Sequence, residues 1–286
     1  LPLACANGYV KISVPEPVSD ILVVDTVTKL DISHSGKVLV GASHCGIYAV
    51  YLAASAGVRA LILNNAGIGL DQAGIGGLEW AEQYGLPVAA VDHNSCRIAD
   101  GEDVNANGII SHVNRLAADL DCKAGMSAAA CAEKMLAAPE IKQFPPSYGE
   151  ARFTIDHTEI DIPIIGCDSI SLLLPEDAGS FAVTASHGAL LGGKEDDGAV
   201  GMALAGVTFN DAGIGKEKAG IARLGILDRR NIPAATVDTM TARIGDAMSN
   251  WDTGVLSRIN NTARDLGVLP GITTKAFAQI VGSNIQ

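Results

Sequence analysis

The chain has 286 residues, of which 48% are hydrophobic and 18% charged, with 32 Gly, twelve aromatics (five Phe, five Tyr, two Trp) and a net charge of −12. That hydrophobicity excludes a disordered chain, and the sparse charge excludes a coiled coil. The acidic balance and the few aromatics argue against a nucleic-acid partner, and the glycines lack the three-residue period of collagen. At about 150 residues per domain, the length suggests two domains.

In chain order, residues 21–24 and 38–42 read as short strands rich in Val, Ile and Leu. Residues 47–56 form an Ala-rich helix stopped by Gly57, a residue suited to the position just past a helix end. A strand at 58–63, a helix at 70–84 stopped by Gly85, and a third apolar strand at 87–91 follow. A long polar loop comes next, then a helix over 108–120 and a last one through Ala138, N-capped by Ser127. Short apolar strands without polar alternation are buried on both faces. Their alternation with helices gives an α/β fold of βαβ units with mainly parallel sheets.

The second half repeats this order. Residues 64–77 read NNAGIGLDQAGIGG and residues 210–223 read NDAGIGKEKAGIAR, with eight identities in 14 positions at an offset of 146. The same offset relates Asp92 to Asp238, Arg97 to Arg243, Asp100 to Asp246, Ser111 to Ser257 and Asn114 to Asn260. Upstream the offset is 143, pairing Asp25 with Asp168 and Ala42-Ser43-His44 with Ala185-Ser186-His187. The chain therefore reads as a tandem duplication, with repeats at 1–140 and 163–286, a connector at 141–162, and lobes related by a pseudo-two-fold axis.

In open parallel sheets, ligands bind at the carboxyl ends of strands, and the residues shared by the two repeats gather there. His44 and His187 are candidate acid/base groups, with Ser43 and Ser186 beside them. Adjacent residues of an extended strand point to opposite sides, so a Ser-His dyad is not implied. Cys45, present in one copy only, sits at a helix start where a lowered pKa would make a nucleophile. Asn64, Asn65, Asn210 and Asp211 open Gly-rich turns that approach a ligand, although the pattern is neither GxGxxG nor a Walker loop. Asp92 and His93 follow the third strand, and Arg97 and Arg243 can hold a carboxylate or pair locally with Asp100 and Asp246. A metal shared by His44, His187, Asp92 and Asp211 would need the repeats to face each other, and no HxH, HExxH or DxD spacing supports one.

The expectation is an enzyme on a polar, carboxylate-bearing small molecule, with hydrolase or lyase chemistry at a C–N or C–O bond and no cofactor. The alternatives are a phosphosugar- or nucleotide-binding isomerase, transferase or binding protein, and a non-catalytic assembly protein. The small polar surface suggests a homo-oligomer. Six Cys (5, 45, 96, 122, 131, 167) without CxxC or zinc spacing read as reduced thiols of a cytoplasm. No leader is visible, and the apolar run at 198–209 falls short of the ~20 residues of a membrane span.

Overall fold

In the computed structural model, which describes residues 20–157, 159–194 and 200–284, the chain forms two sheets. The first contains β1 (Ile21–Val24), β2 (Val38–His44), β3 (Ala60–Asn64), β4 (Val88–Val91) and β5 (Ile110–Val113), hydrogen-bonded in that order. The first four strands are parallel and β5 runs antiparallel to β4. The second contains β6 (Arg152–Thr154), β7 (Ile164–Cys167), β8 (Phe181–His187), β9 (Gly206–Asn210), β10 (Ala234–Val237) and β11 (Leu256–Ile259). Its order runs from β11 down to β6, with β7 to β10 parallel and both edge strands antiparallel.

Helices α1 (Ile47–Ser55), α2 (Gly77–Glu82), α3 (Gly101–Asn107), α4 (Arg115–Ala118) and α5 (Ala128–Met135) cover the first sheet. Helices α6 (Arg223–Arg229), α7 (Ala247–Asp252), α8 (Asn261–Asp265) and α9 (Thr274–Asn284) cover the second. Strands apolar at every position can be stable only if both faces are covered. On β2 and β3, Val38, Val40 and Ile62 pack with Cys131 and Met135 of α5, while Leu39, Leu61 and Leu63 pack on the other side with Val50 and Ala53 of α1. The second sheet likewise has a core on each face, around Phe181 and Phe277 on one and Phe209 and Leu227 on the other. Among the described residues, no helix is long and apolar enough to cross a membrane.

Three expectations need correction. Residues 108–120 are not one helix. Polar residues 101–107 are helical instead, because Asp100 Oδ1 accepts the N–H of Asp103 at 3.0 Å and caps α3. Ile110–Val113 then pairs with β4, and Asn114 Oδ1 starts the short α4 by accepting from Ala117 N–H at 3.0 Å. Helix 70–84 is broken, because Asp71 and Gln72 have φ of 52° and 58° and only Gly77–Glu82 is α-helical. The stretch 141–162 is also more than a connector, since Arg152–Thr154 is an edge strand paired with β7. The last helix of the first half begins as expected, with Ser127 Oγ accepting from Ala130 N–H at 3.2 Å.

Candidate functional site

The register of β2 against β3 slips where the Ser-His pair lies: Val40 faces Ile62, yet His44 faces Asn64, so four residue steps on β2 span two on β3. β8 repeats the slip, with Val183 opposite Thr208 and His187 opposite Asn210. Such bulges re-aim side chains and end regular pairing. Here the irregularity lets both members of each pair line one cavity, against the opposite directions expected of a regular strand. The strand expected at 38–42 thus runs on to His44 as β2, and β8 likewise ends at His187. The cavity has a volume of ≈ 270 Å³ and is walled by residues of both halves.

Each polar group is held in a defined state. Ser43 Oγ accepts from Val27 N–H at 3.1 Å and Ser186 Oγ accepts from Ile170 N–H at 2.9 Å, leaving each hydroxyl proton to donate elsewhere. Gly46 N–H donates to His44 Nδ1 at 3.1 Å, and Ala189 N–H donates to His187 Nδ1 at 3.3 Å. An Nδ1 that accepts carries no proton, so in the neutral ring the hydrogen sits on Nε2. Both rings are neutral at pH 7. Burial draws His44 down to about 4. Burial, helped by the Arg223 guanidinium and by His44, draws His187 down to about 3. In its neutral form each ring therefore presents an Nε2–H donor.

The titrating group comes from elsewhere. Glu150, just before β6, lines the cavity, and burial next to the Asp168 carboxylate pushes it up to about 7. Asp168 is itself engaged, accepting from Ala151 N–H at 2.8 Å and Ala247 N–H at 2.9 Å. Tyr48 of α1 also lines the cavity, and its phenol is pushed up by burial and by Glu150. Arg223 supplies the buried cation: it is 3% exposed, lies 5.1 Å from the Phe209 ring centre, and donates from Nη2 to Ala189 O at 2.8 Å. Nothing in the repeated motifs singles out Glu150, which lies outside them. Arg223 has a legible signal, because it departs from the repeated motif where the first half has Gly77.

The remaining candidates lie outside this cavity, at the seam between the lobes. Ala66, Gly67, Ile68 and Gly69 have φ of 49°, 74°, 66° and 74°, and Ala212 to Gly215 repeat this left-handed run. Asn64 Oδ1 and Asn65 Oδ1 accept from the N–H groups of Ala66 (2.9 Å) and Gly67 (3.1 Å); Asn210 and Asp211 do the same for Ala212 and Gly213, both at 2.9 Å. These four side chains shape the turns, and none of them lines the Ser-His cavity. Gly67 and Gly213 meet backbone to backbone, so that a Cβ on either would lie 2.8 Å from the other's Cα.

Seam contacts come in reciprocal pairs. Leu70 N–H donates to Thr239 O at 2.8 Å and Lys216 N–H to His93 O at 2.9 Å. Arg97 pairs with Glu217 at 2.7 Å and with Asp100, and Arg243 pairs with Asp71 at 2.8 Å and with Asp246. The arginines thus fasten the lobes and their own loops, away from the Ser-His cavity. Asp92 Oδ1 accepts from Asn94 N–H at 2.9 Å, and His93 Nδ1 lies 3.0 Å from Asn65 Oδ1. Asp92 and Asp211 do not join His44 and His187, and among the described residues no group of three or more His, Cys, Asp or Glu is placed to hold a metal ion.

Cys45 is fully buried, and burial pushes its thiol up, opposite to the activation that a nucleophile needs. It precedes Gly46, the N-cap of α1, and packs in the core with Val50 and Leu78.

No family model, curated protein or solved structure matches this chain.

Proposed function

We propose that the chain is an enzyme acting on a small, polar, carboxylate-bearing metabolite, with hydrolase- or lyase-type chemistry at a C–N or C–O bond in the Ser-His cavity. One observation carries this reading: a carboxyl group poised near neutrality, Glu150, shares a cavity with two neutral imidazoles that each present an Nε2–H. A group ionising near the working pH is the efficient proton carrier, commonly worth about 10²–10⁴ in rate. Donors fixed before reaction stabilise charge developing on oxygen without reorganisation. Glu150 takes a proton from water or from the substrate, negative charge grows on an oxygen facing the imidazoles, and Glu150 returns the proton to the leaving nitrogen or oxygen.

The cavity's ≈ 270 Å³ lies just below the common range of ligand pockets, about 300–1,000 Å³, which favours a small metabolite. A phosphate-cradle reading finds less support, since the Gly-rich turns spend N–H groups on Asn64, Asn65, Asn210 and Asp211. We further read the lobes as copies of one ancestral unit, supported by the repeated motif and the reciprocal seam contacts, and the chain as a homo-oligomer on its small polar surface. A cytoplasmic location is supported by the five described cysteines, all free thiols; Cys5 lies outside the described residues.

The test is a turnover screen over small carboxylates bearing amide, ester, β-hydroxy or β-amino groups. Glu150→Gln, His44→Ala and His187→Ala are each expected to lose turnover while keeping a cooperative thermal transition. Full activity in all three variants would sink the reading.

A further inference from the structure

The two ends of the cavity are not equivalent, and their difference carries a statement about the ligand. Both ends present one imidazole Nε2–H and one Ser hydroxyl. Behind His187, however, Ala189 receives the guanidinium: its N–H donates to His187 Nδ1 while its carbonyl accepts from Arg223 Nη2 at 2.8 Å. The first lobe has no room for such a cation at the matching place. Gly77 stands there, and even a Cβ would lie 2.3 Å from Val50 Cγ2 and 2.8 Å from the Cys45 carbonyl oxygen. The positive charge is felt at one imidazole in particular, since Arg223 contributes to depressing His187 and not His44. The acid/base group stands between the two walls, since Glu150 lies beside Asp168 of the second lobe and also acts on Tyr48 of α1.

We propose that the ligand's carboxylate anchors at the second-lobe end, on His187 Nε2–H and Ser186 Oγ–H backed by the Arg223 charge, while the reacting part extends toward His44, Ser43 and Glu150. This rests on reading the cavity as the substrate site, and it assigns the duplicated pairs different jobs. A carboxylate suits the anchor because it is an acceptor-only group whose two oxygens can take the two donors at once. Charge-assisted hydrogen bonds of this kind are roughly twice as strong as neutral ones. A neutral imidazole donates without repelling Arg223, which explains why a ring held in the Nε2–H form is useful next to a cation.

The experiment uses the full chain labelled with ¹⁵N-histidine, following imidazole ¹H–¹⁵N correlations at pH 7 during titration with sodium acetate, acetamide or inorganic phosphate. Acetate is expected to shift His187 more than His44, and acetamide is expected to shift neither. Phosphate should act more weakly than acetate. His187→Phe should weaken acetate binding about tenfold, and His44→Phe less than about threefold. Should the Phe variants fail to fold, the wild-type titration decides alone.

An equal or larger response at His44, equal binding of acetamide, a phosphate response exceeding that of acetate, or no response to acetate would each overturn the proposal. Acetate seating at His187 in a chain without turnover removes only the enzyme reading. Turnover with no acetate response removes only the anchor.

Discussion

The two lobes share a sheet order, a bulge and a Ser-His pair, yet they differ at a few positions around the cavity. Residues kept in both, such as Asn64/Asn210, Arg97/Arg243 and Asp25/Asp168, accept backbone N–H groups or fasten the seam. Residues that differ, Gly77 against Arg223 above all, change the charge of the cavity wall. Agreement between the two halves therefore marks architecture as often as chemistry. Glu150 lies outside the repeated motifs, and it holds the group that titrates near neutrality.

The most severe break of this scheme is Glu150→Gln, expected to lower kcat/KM by about 10²–10⁴ (roughly 3–5 kcal/mol) in steady-state assays. With Glu150 starting the reaction as a carboxylate, wild-type kcat/KM should rise with pH through about 7 and lose that inflection in the variant. The next effect falls equally on both lobes. A Cβ at Gly74 would lie 2.4 Å from Asn65 O, and one at Gly220 would lie 2.1 Å from Asp211 O. Gly74→Ala and Gly220→Ala should each cost about 2–4 kcal/mol in denaturant unfolding. A large penalty in one lobe alone would break the structural equivalence.

Stability against pH separates the cavity groups by sign. The histidines are held below the usual histidine range, so their native rings stay neutral, and stability is lost as pH falls from about 6.5 toward 4. Glu150 is raised, so the native state holds its proton more tightly and stability is lost as pH climbs from about 4.5 toward 7. Glu150→Gln should steepen the rise in Tm between those values, whereas His44→Gln or His187→Gln should flatten it. Cys45→Ala should cost about 1 kcal/mol and keep activity, and native Cys45 should resist iodoacetamide. The smallest effect belongs to Arg97→Ala and Arg243→Ala, at most about 1 kcal/mol each with turnover kept, because both sit in partly exposed ion pairs.

Much of the sheet was legible because buried parallel strands carry unbroken apolar runs, as in residues 60–63 and 88–91. Helix α3 was not, since Glu102, Asp103, Asn105 and Asn107 give it loop-like composition and only the Asp100 cap reveals it. The Ser-His pairs were legible as repeated polar residues after a strand, but their direction was not. A bulge is a property of two strands, and the spacing of one strand does not encode it. Arg97 and Arg243 have the chemistry of carboxylate clamps, and only their neighbours across the seam, Glu217 and Asp71, show that they are committed.

By itself, the sequence determined the α/β class, the repeated order of strands and turns, and His44 and His187 as residues of interest. Those follow from periodicity and from identities along the chain, which are local or countable. Tertiary structure decided that both histidines face one cavity, that each is a neutral Nε2–H donor, and that Glu150 and Arg223 complete the site. Protonation state and charge depend on burial and on partners distant in sequence, such as Asp168 for Glu150 and Arg223 for His187.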